Sequence, residues 1–128
     1  MFDPRKELGT KGEQLAVKFL KREGYKIIQR NYRCKLGEID IIAERDRTLA
    51  FVEVKTRQTD AFGLPQDSVT PTKKNQISRA ALSYIKENKL IGRSCRFDVI
   101  AVTFSGESRK PRIEHIKNAF ELSRRYTY

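Results

Sequence analysis

Two short runs of this chain carry charge where a strand should be apolar. Gly37-Glu38-Ile39-Asp40-Ile41-Ile42 and Phe51-Val52-Glu53-Val54-Lys55 both read as β-strand, joined by a brief polar link. A half-buried strand alternates apolar and polar residues, and a carboxylate taken out of water without a partner is costly. Three carboxylates and a lysine set into neighbouring apolar runs therefore restrict the fold to one in which these charges have something to hold. A divalent cation meets that need. Hard ions such as Mg²⁺ take oxygen ligands, often one or two carboxylates completed by waters and substrate phosphates.

Side chains alternate across a strand, so Glu38 and Asp40 share a face, as do Glu53 and Lys55. The link Arg45-Asp46-Arg47 decides whether the two pairs meet. A two- or four-residue loop pairs Glu38 with Glu53 and Asp40 with Phe51, and puts all four polar groups on one face. A regular three-residue loop splits them unless a bulge restores the register. The even loop is the expectation. Carboxylates gathered in this way repel, each raising the other's pKa, and a bound dication removes the penalty.

The remaining elements follow from periodicity and caps. Gly12, Leu15, Ala16, Phe19 and Leu20 recur at helical spacing; Thr10 and Glu13 form a capping box, and Gly24 supplies a stop. An extended segment surrounds Ile27-Ile28, and strands cover Glu38–Glu44 and Thr48–Thr56. A polar loop from Arg57 to Val69 contains Phe62-Gly63 and Pro65. Thr70 caps a second helix with Pro71 in its first position, and Ile77, Ala80, Ala81, Tyr84 and Ile85 form its stripe. Strands at Arg96–Phe104 and Ile113–Ile116 and a basic tail ending Arg124-Arg125-Tyr126 complete the chain. The order α-β-β-β-α-β-β predicts an α/β fold, a mixed central sheet flanked by helices, in one domain over residues 1–128.

Charge narrows the partners. Lysine and arginine number 27 against 16 acidic residues, a net charge of +11, which favours a polyanion such as nucleic acid. Cys34 and Cys95 lack zinc-site spacing and there is one histidine, so reduced thiols are expected in place of a metal-thiolate centre. No apolar run approaches the ~20 residues of a membrane span, and Met1–Lys6 has no apolar signal core. A cytoplasmic protein with no membrane partner is expected.

Asp40, twelve intervening residues, then Glu53-Val54-Lys55 resembles the restriction-endonuclease-like nuclease signature. Gly12-Glu13, Asn31-Tyr32-Arg33, Gly37-Glu38-Ile39-Asp40, Phe51 to Arg57 and Arg96-Phe97-Asp98 together resemble the YraN (UPF0102) family, which is similar to archaeal Holliday-junction resolvases in fold and site. The resemblance covers nearly the whole chain. It implies a restriction-endonuclease-like core and a metal-dependent nuclease acting on DNA, branched DNA included. It also implies Mg²⁺ or Mn²⁺ on Asp40 and Glu53, Lys55 at the attacking water, and a homodimer.

The residues add further expectations. The Val54 carbonyl is a third metal ligand, and Glu13, on the sheet-facing side of its helix, binds metal or its water. Two readings of Glu13 stay open, since it also completes the capping box with Thr10. Glu38 is assigned to turn chemistry or support, and Asp98 to a salt bridge or support. Glu87-Asn88-Lys89 repeats the acid-any-Lys spacing at a polar helix end and receives no role. Arg33, Lys35, Arg57 and Lys73 are the expected nucleic-acid contacts; Tyr32 and Phe62 have two open readings, stacking on bases or the local packing more usual for a loop aromatic. Such contacts are salt-sensitive and mostly to the backbone. No base-reading motif is present, so binding is expected to select structure over sequence. A non-catalytic nucleic-acid-binding module of the same fold is the first alternative. A basic structural protein with internal ion pairs is the second.

Overall fold

The computed structural model describes residues 3–58, 63–104 and 110–121. Its elements, in chain order, are α1 (Pro4–Arg22), β1 (Lys26–Cys34), β2 (Gly37–Arg45), β3 (Thr48–Arg57), a short 3₁₀ turn (Pro65–Ser68), α2 (Pro71–Glu87), β4 (Cys95–Thr103) and β5 (Arg112–Phe120). The strands form one sheet in the order β1-β2-β3-β4-β5. Three neighbouring pairs are antiparallel, and β3 and β4 run parallel because α2 carries the chain from one to the other.

The helices cover opposite faces. Ala16, Val17 and Leu20 of α1 pack on Ile41, Ala43, Ala50, Val52, Ile100 and Val102. Ile77, Ala80, Ala81 and Tyr84 of α2 pack on Ile39, Ile42, Leu49, Phe51, Phe97 and Val99. With both faces covered, β4 has no polar alternation to keep, and Phe97 to Thr103 are all buried. This mixed α/β architecture agrees with a restriction-endonuclease-like core. No helix among the described residues is long and apolar enough to cross a membrane.

The second helix begins as its sequence predicts: Thr70 Oγ1 accepts the Lys73 N–H at 3.2 Å, and Pro71 opens the first turn. The first helix does not. Its cap is Asp3, which accepts the Arg5 N–H at 3.0 Å ahead of Pro4. Thr10 lies inside the helix, where its hydroxyl donates to the Lys6 carbonyl at 3.0 Å, so the Thr10–Glu13 capping box is not formed and Glu13 has no capping duty. Gly24, with φ of +88°, stands just past the helix end as expected.

Two glycines set how closely the helices approach the sheet. A Cβ on Gly12 would lie 2.0 Å from Thr56 Oγ1, so α1 is pressed onto β3 at that point. A Cβ on Gly37 would lie 2.5 Å from the Gln76 carbonyl oxygen, which brings α2 against the start of β2. The two close approaches bracket the carboxylate-bearing parts of β2 and β3.

Candidate functional site

The β2–β3 hairpin has the even loop. Arg45 pairs with Thr48 across Asp46 and Arg47, both at positive φ (52° and 64°). Two such residues make the tight turn that suits the right-handed twist of a hairpin. The register is two residues from the sequence-predicted pairing, because Phe51 stands opposite Ile42 and not Asp40; the shift is even, so each side chain keeps its face. Pairing ends at Ile41–Val52 although both strands continue.

Beyond that point Asp40 breaks the regular alternation of β2. Ile39 and Ile42, three residues apart, enter the same core, while Ile41 enters the other. The Asp40 carboxylate takes the place of a ladder partner: its Oδ2 accepts the Val54 N–H at 2.8 Å. One acid is thereby fixed beside the peptide that follows the other acid.

An open cleft of about 430 Å³ lies here, lined by Arg5, Leu8, Gly9, Glu13, Asp40, Glu53, Val54, Lys55 and Thr56. The four residues predicted to carry the chemistry and the residue predicted to lend a carbonyl thus share one cleft between α1 and the ends of β2 and β3. Glu53 is buried, and its Oε1 lies 4.0 Å from Lys55 Nζ and 3.9 Å from Lys73 Nζ. Its Oε2 is also buried and has no hydrogen-bond partner.

The electrostatics are those of crowded, desolvated acids. Burial, then the charge of Asp40, raises the Glu53 carboxyl from 4.5 to about 7, against the pull of Lys73 and Lys55. Burial also raises Asp40, opposed by the Val54 N–H and the two lysines. Glu13 is raised by burial and by Asp40, and lowered by Arg30 and by a hydrogen bond with Asn31. Each of these acids would be easier to ionise beside a dication.

The donor set is incomplete as a cage. Among the described residues no three of His, Cys, Asp and Glu converge into a metal-binding group. Two carboxylates with an unused buried oxygen suit a hard ion that keeps waters and takes the rest of its shell from phosphate, as Mg²⁺ does.

Other sequence-predicted residues separate into those near the cleft and those committed elsewhere. Lys73 reaches Glu53 from α2. Arg33 is exposed on β1 and pairs with Glu38 at 3.4 Å, and Lys35 is exposed at the β1–β2 turn. Arg57 bonds to Thr103 Oγ1 at 3.4 Å and to the Gly63 carbonyl at 2.8 Å, so part of its guanidinium holds the chain after β3. Tyr32 is not a free aromatic stacker. It is buried against Tyr84, and its hydroxyl donates to Glu87 at 3.1 Å, with the Ser83 hydroxyl 3.2 Å away. Phe62 and the basic tail lie outside the described residues.

Asp98 is the salt-bridged acid that the sequence offered as one option. Fully buried, it accepts from Arg96 Nε at 3.0 and 3.1 Å and from the Asn118 N–H at 2.9 Å, with His115 Nε2 at 2.8 Å. Arg96 continues to the Tyr25 hydroxyl. These bonds tie β5 to β4 and, through Tyr25, to the link between α1 and β1, at residues that do not line the cleft.

Sequence reasoning missed Arg5, Arg30 and Asn31. Arg5 precedes any apolar periodicity. Asn31 enters the sequence reading only within the Asn31-Tyr32-Arg33 resemblance, with no role; the structure places it at φ of 52°, a conformation that asparagine tolerates better than most residues.

The model of a family described as "Uncharacterised protein family UPF0102" matches residues 12–102. The chain belongs to the UPF0102 family. A UPF0102 protein of Geobacter metallireducens is 53% identical over 118 residues, covering 92% of this chain and 95% of the relative. One from Geotalea daltonii is 54% identical over 118 residues, 92% of each chain. A more distant UPF0102 protein, from Pelotomaculum thermopropionicum, is 45% identical over 120 residues, 94% of this chain and all of the relative. The matched span runs from Gly12 to Val102 in β4, and so contains Glu13, Asp40, Glu53, Lys55 and Lys73.

Proposed function

We propose that this UPF0102 protein hydrolyses phosphodiester bonds in nucleic acid, DNA and branched DNA foremost, with Mg²⁺ or Mn²⁺ held by Asp40, Glu53 and the Val54 carbonyl. The observation that carries the reading is the buried, unpartnered Oε2 of Glu53 next to Asp40 in an open cleft. A structural carboxylate would have both oxygens satisfied, as Asp98 has.

When bound, a divalent ion neutralises phosphoryl charge and makes water a stronger nucleophile at neutral pH. The chain's own groups do the remainder. Asp40, clamped by the Val54 N–H, holds the geometry of the two acids. Lys55, on the cleft wall, orients the attacking water and offsets charge on the phosphate. Glu13 faces the same space and is placed to take the water's proton as the new P–O bond forms; the old P–O bond breaks with its electron pair on the leaving oxygen, which takes a proton from solvent. Arg5 and Lys73 flank the cleft as phosphate contacts, with Arg33 and Lys35 further along the β1 side.

A second reading has one observation in its favour: Lys55 and Lys73 already stand beside Glu53, as internal ion pairs would. The test is cleavage of labelled linear, flapped and four-way-junction DNA, and matching RNA, with Mg²⁺, Mn²⁺ or EDTA. Asp40→Asn, Glu53→Gln and Lys55→Ala proteins run alongside, each checked for folding. Metal-dependent cutting by the parent, lost by at least about 100-fold in each variant, is the expected result. Binding without cutting, unchanged in the variants, would move the assignment to a non-catalytic binding module. Junction resolution in particular requires two sites, so a dimer in light scattering accompanies junction cleavage, whereas a monomer points to linear or flapped substrates.

A further inference from the structure

Lys73 stands apart from the other basic residues of the site. Its backbone is pinned, because its N–H donates to the Thr70 cap at 3.2 Å, yet its side chain is about one-third exposed. Its Nζ lies 3.9 Å from Glu53 Oε1. That separation exceeds hydrogen-bond reach, so charge alone holds the pair and the ammonium can leave without breaking a directional bond. Lys55 differs: it stands two residues along the same strand and lines the cleft itself. Lys73 approaches Glu53 from another element and is not part of the lining.

We propose that Lys73 is a resident counter-ion for Glu53 that a divalent metal must displace, and that a nucleic-acid phosphate draws it off. Bound substrate then raises the site's affinity for the metal. The inference rests on the metal-dependent reading above and concerns the regulation of that same site. An ammonium a few ångströms from the ligand oxygen repels an incoming dication strongly in a poorly solvated cleft. A backbone phosphate at the cleft edge offers Lys73 another anion, and its departure leaves Glu53 free for the metal. Linkage makes the effect mutual: metal tightens nucleic-acid binding by the factor by which nucleic acid tightens metal binding. The chain would hold little metal until substrate arrives.

The test uses Lys73→Met and Lys73→Gln, which remove the charge and keep much of the stem. Lys86→Met is the control, taking one charge from the exposed last turn of the same helix. Calorimetric titration of nucleic-acid-free protein with Mn²⁺ should show both Lys73 variants binding about tenfold tighter than the parent, with Lys86→Met unchanged. Fluorescence anisotropy of a short labelled duplex, in Ca²⁺ against EDTA at matched ionic strength, reads the reciprocal effect. The parent and Lys86→Met should gain duplex affinity with Ca²⁺ by a factor that the Lys73 variants lack. Lys73 variants that bind Mn²⁺ no tighter than the parent would overturn the inference and leave the metal site standing. No Mn²⁺ bound by the parent, with duplex or without it, would overturn both.

Discussion

Replacing Glu53 by Gln asks whether this carboxylate serves a ligand at the expense of the fold. Burial and the charge of Asp40 raise its carboxyl from 4.5 to about 7. The folded value lies above the unfolded one, so between about 4.5 and about 7 the folded chain holds a proton that the unfolded chain has lost. The group's contribution to stability is thus complete below about 4.5 and is lost as pH rises through about 7. Each tenfold in proton affinity is about 1.4 kcal/mol, which makes the ionised group at about pH 8 a burden on the order of 3 kcal/mol. Gln keeps the shape without the charge but satisfies Lys55 and Lys73 less well, leaving a net gain of about 2 kcal/mol. Thermal melts in EDTA at about pH 8 should place Glu53→Gln roughly 6 °C above the parent. At about pH 5, where the parent carboxyl is protonated, the gap should close. Saturating Mg²⁺ should raise the parent alone. A variant that melts below the parent at about pH 8 in EDTA would mean the opposite, that Glu53 is a net-stabilising ion pair with Lys55 and Lys73.

Three further perturbations address other parts of the molecule. Metal stabilisation should depend on pH in the opposite sense to the apo protein: the Mg²⁺-induced rise in Tm should be larger at about pH 8 than at about pH 6, since Glu53 must shed its proton to ligate. Asp98→Asn should cost about 3 kcal/mol in urea unfolding by stranding Arg96, while the soluble fraction keeps its nucleic-acid affinity. Although burial opposes it, the bonds from His115, Arg96 and the Asn118 N–H hold the Asp98 carboxyl below its usual range. Its stabilisation is therefore present above the ordinary value of 3.8 and is lost only as pH falls through the lower folded value. Gly12→Ala should destabilise by about 1–3 kcal/mol. Rotating Thr56 cannot relieve the clash, because Thr56 Cβ and Cγ2 also lie 3.1 and 3.2 Å from the added carbon.

Local chemistry was legible where it was self-contained. Thr70-Pro71 announces the start of α2 because a cap and a fixed φ act within one turn. Asp3-Pro4 carries the same message for α1. It is obscured because no residue from Arg5 to Gly9 is buried and Arg5, Leu8 and Gly9 line the cleft, so this stretch shows no apolar stripe. The hairpin's parity was readable from alternation, but its pairing was not. Asp46-Arg47 adopts a two-residue turn without the glycine or asparagine that usually marks one.

At the site, the residue types that gather were readable from the chain, but their bonding was not. Asp40 replaces a ladder partner only because β2 loses its alternation there, and no periodicity encodes that break. The Lys73–Glu53 pair joins residues twenty positions apart through the packing of α2, which sequence order leaves open. Arg57, read as a nucleic-acid contact from its chemistry alone, is engaged by Thr103 and Gly63, and of the two readings open for Tyr32 the structure shows local packing, with Ser83 and Glu87 at its hydroxyl.

The central claim is that Asp40 and Glu53 form a divalent-metal site. Anomalous scattering from Mn²⁺ in crystals grown with a short duplex tests it most directly. The expected result is an anomalous peak in the cleft that Asp40, Glu53 and Val54 line. A cleft that holds Lys73 against Glu53 with no anomalous peak, at Mn²⁺ concentrations that saturate the duplex, would contradict it.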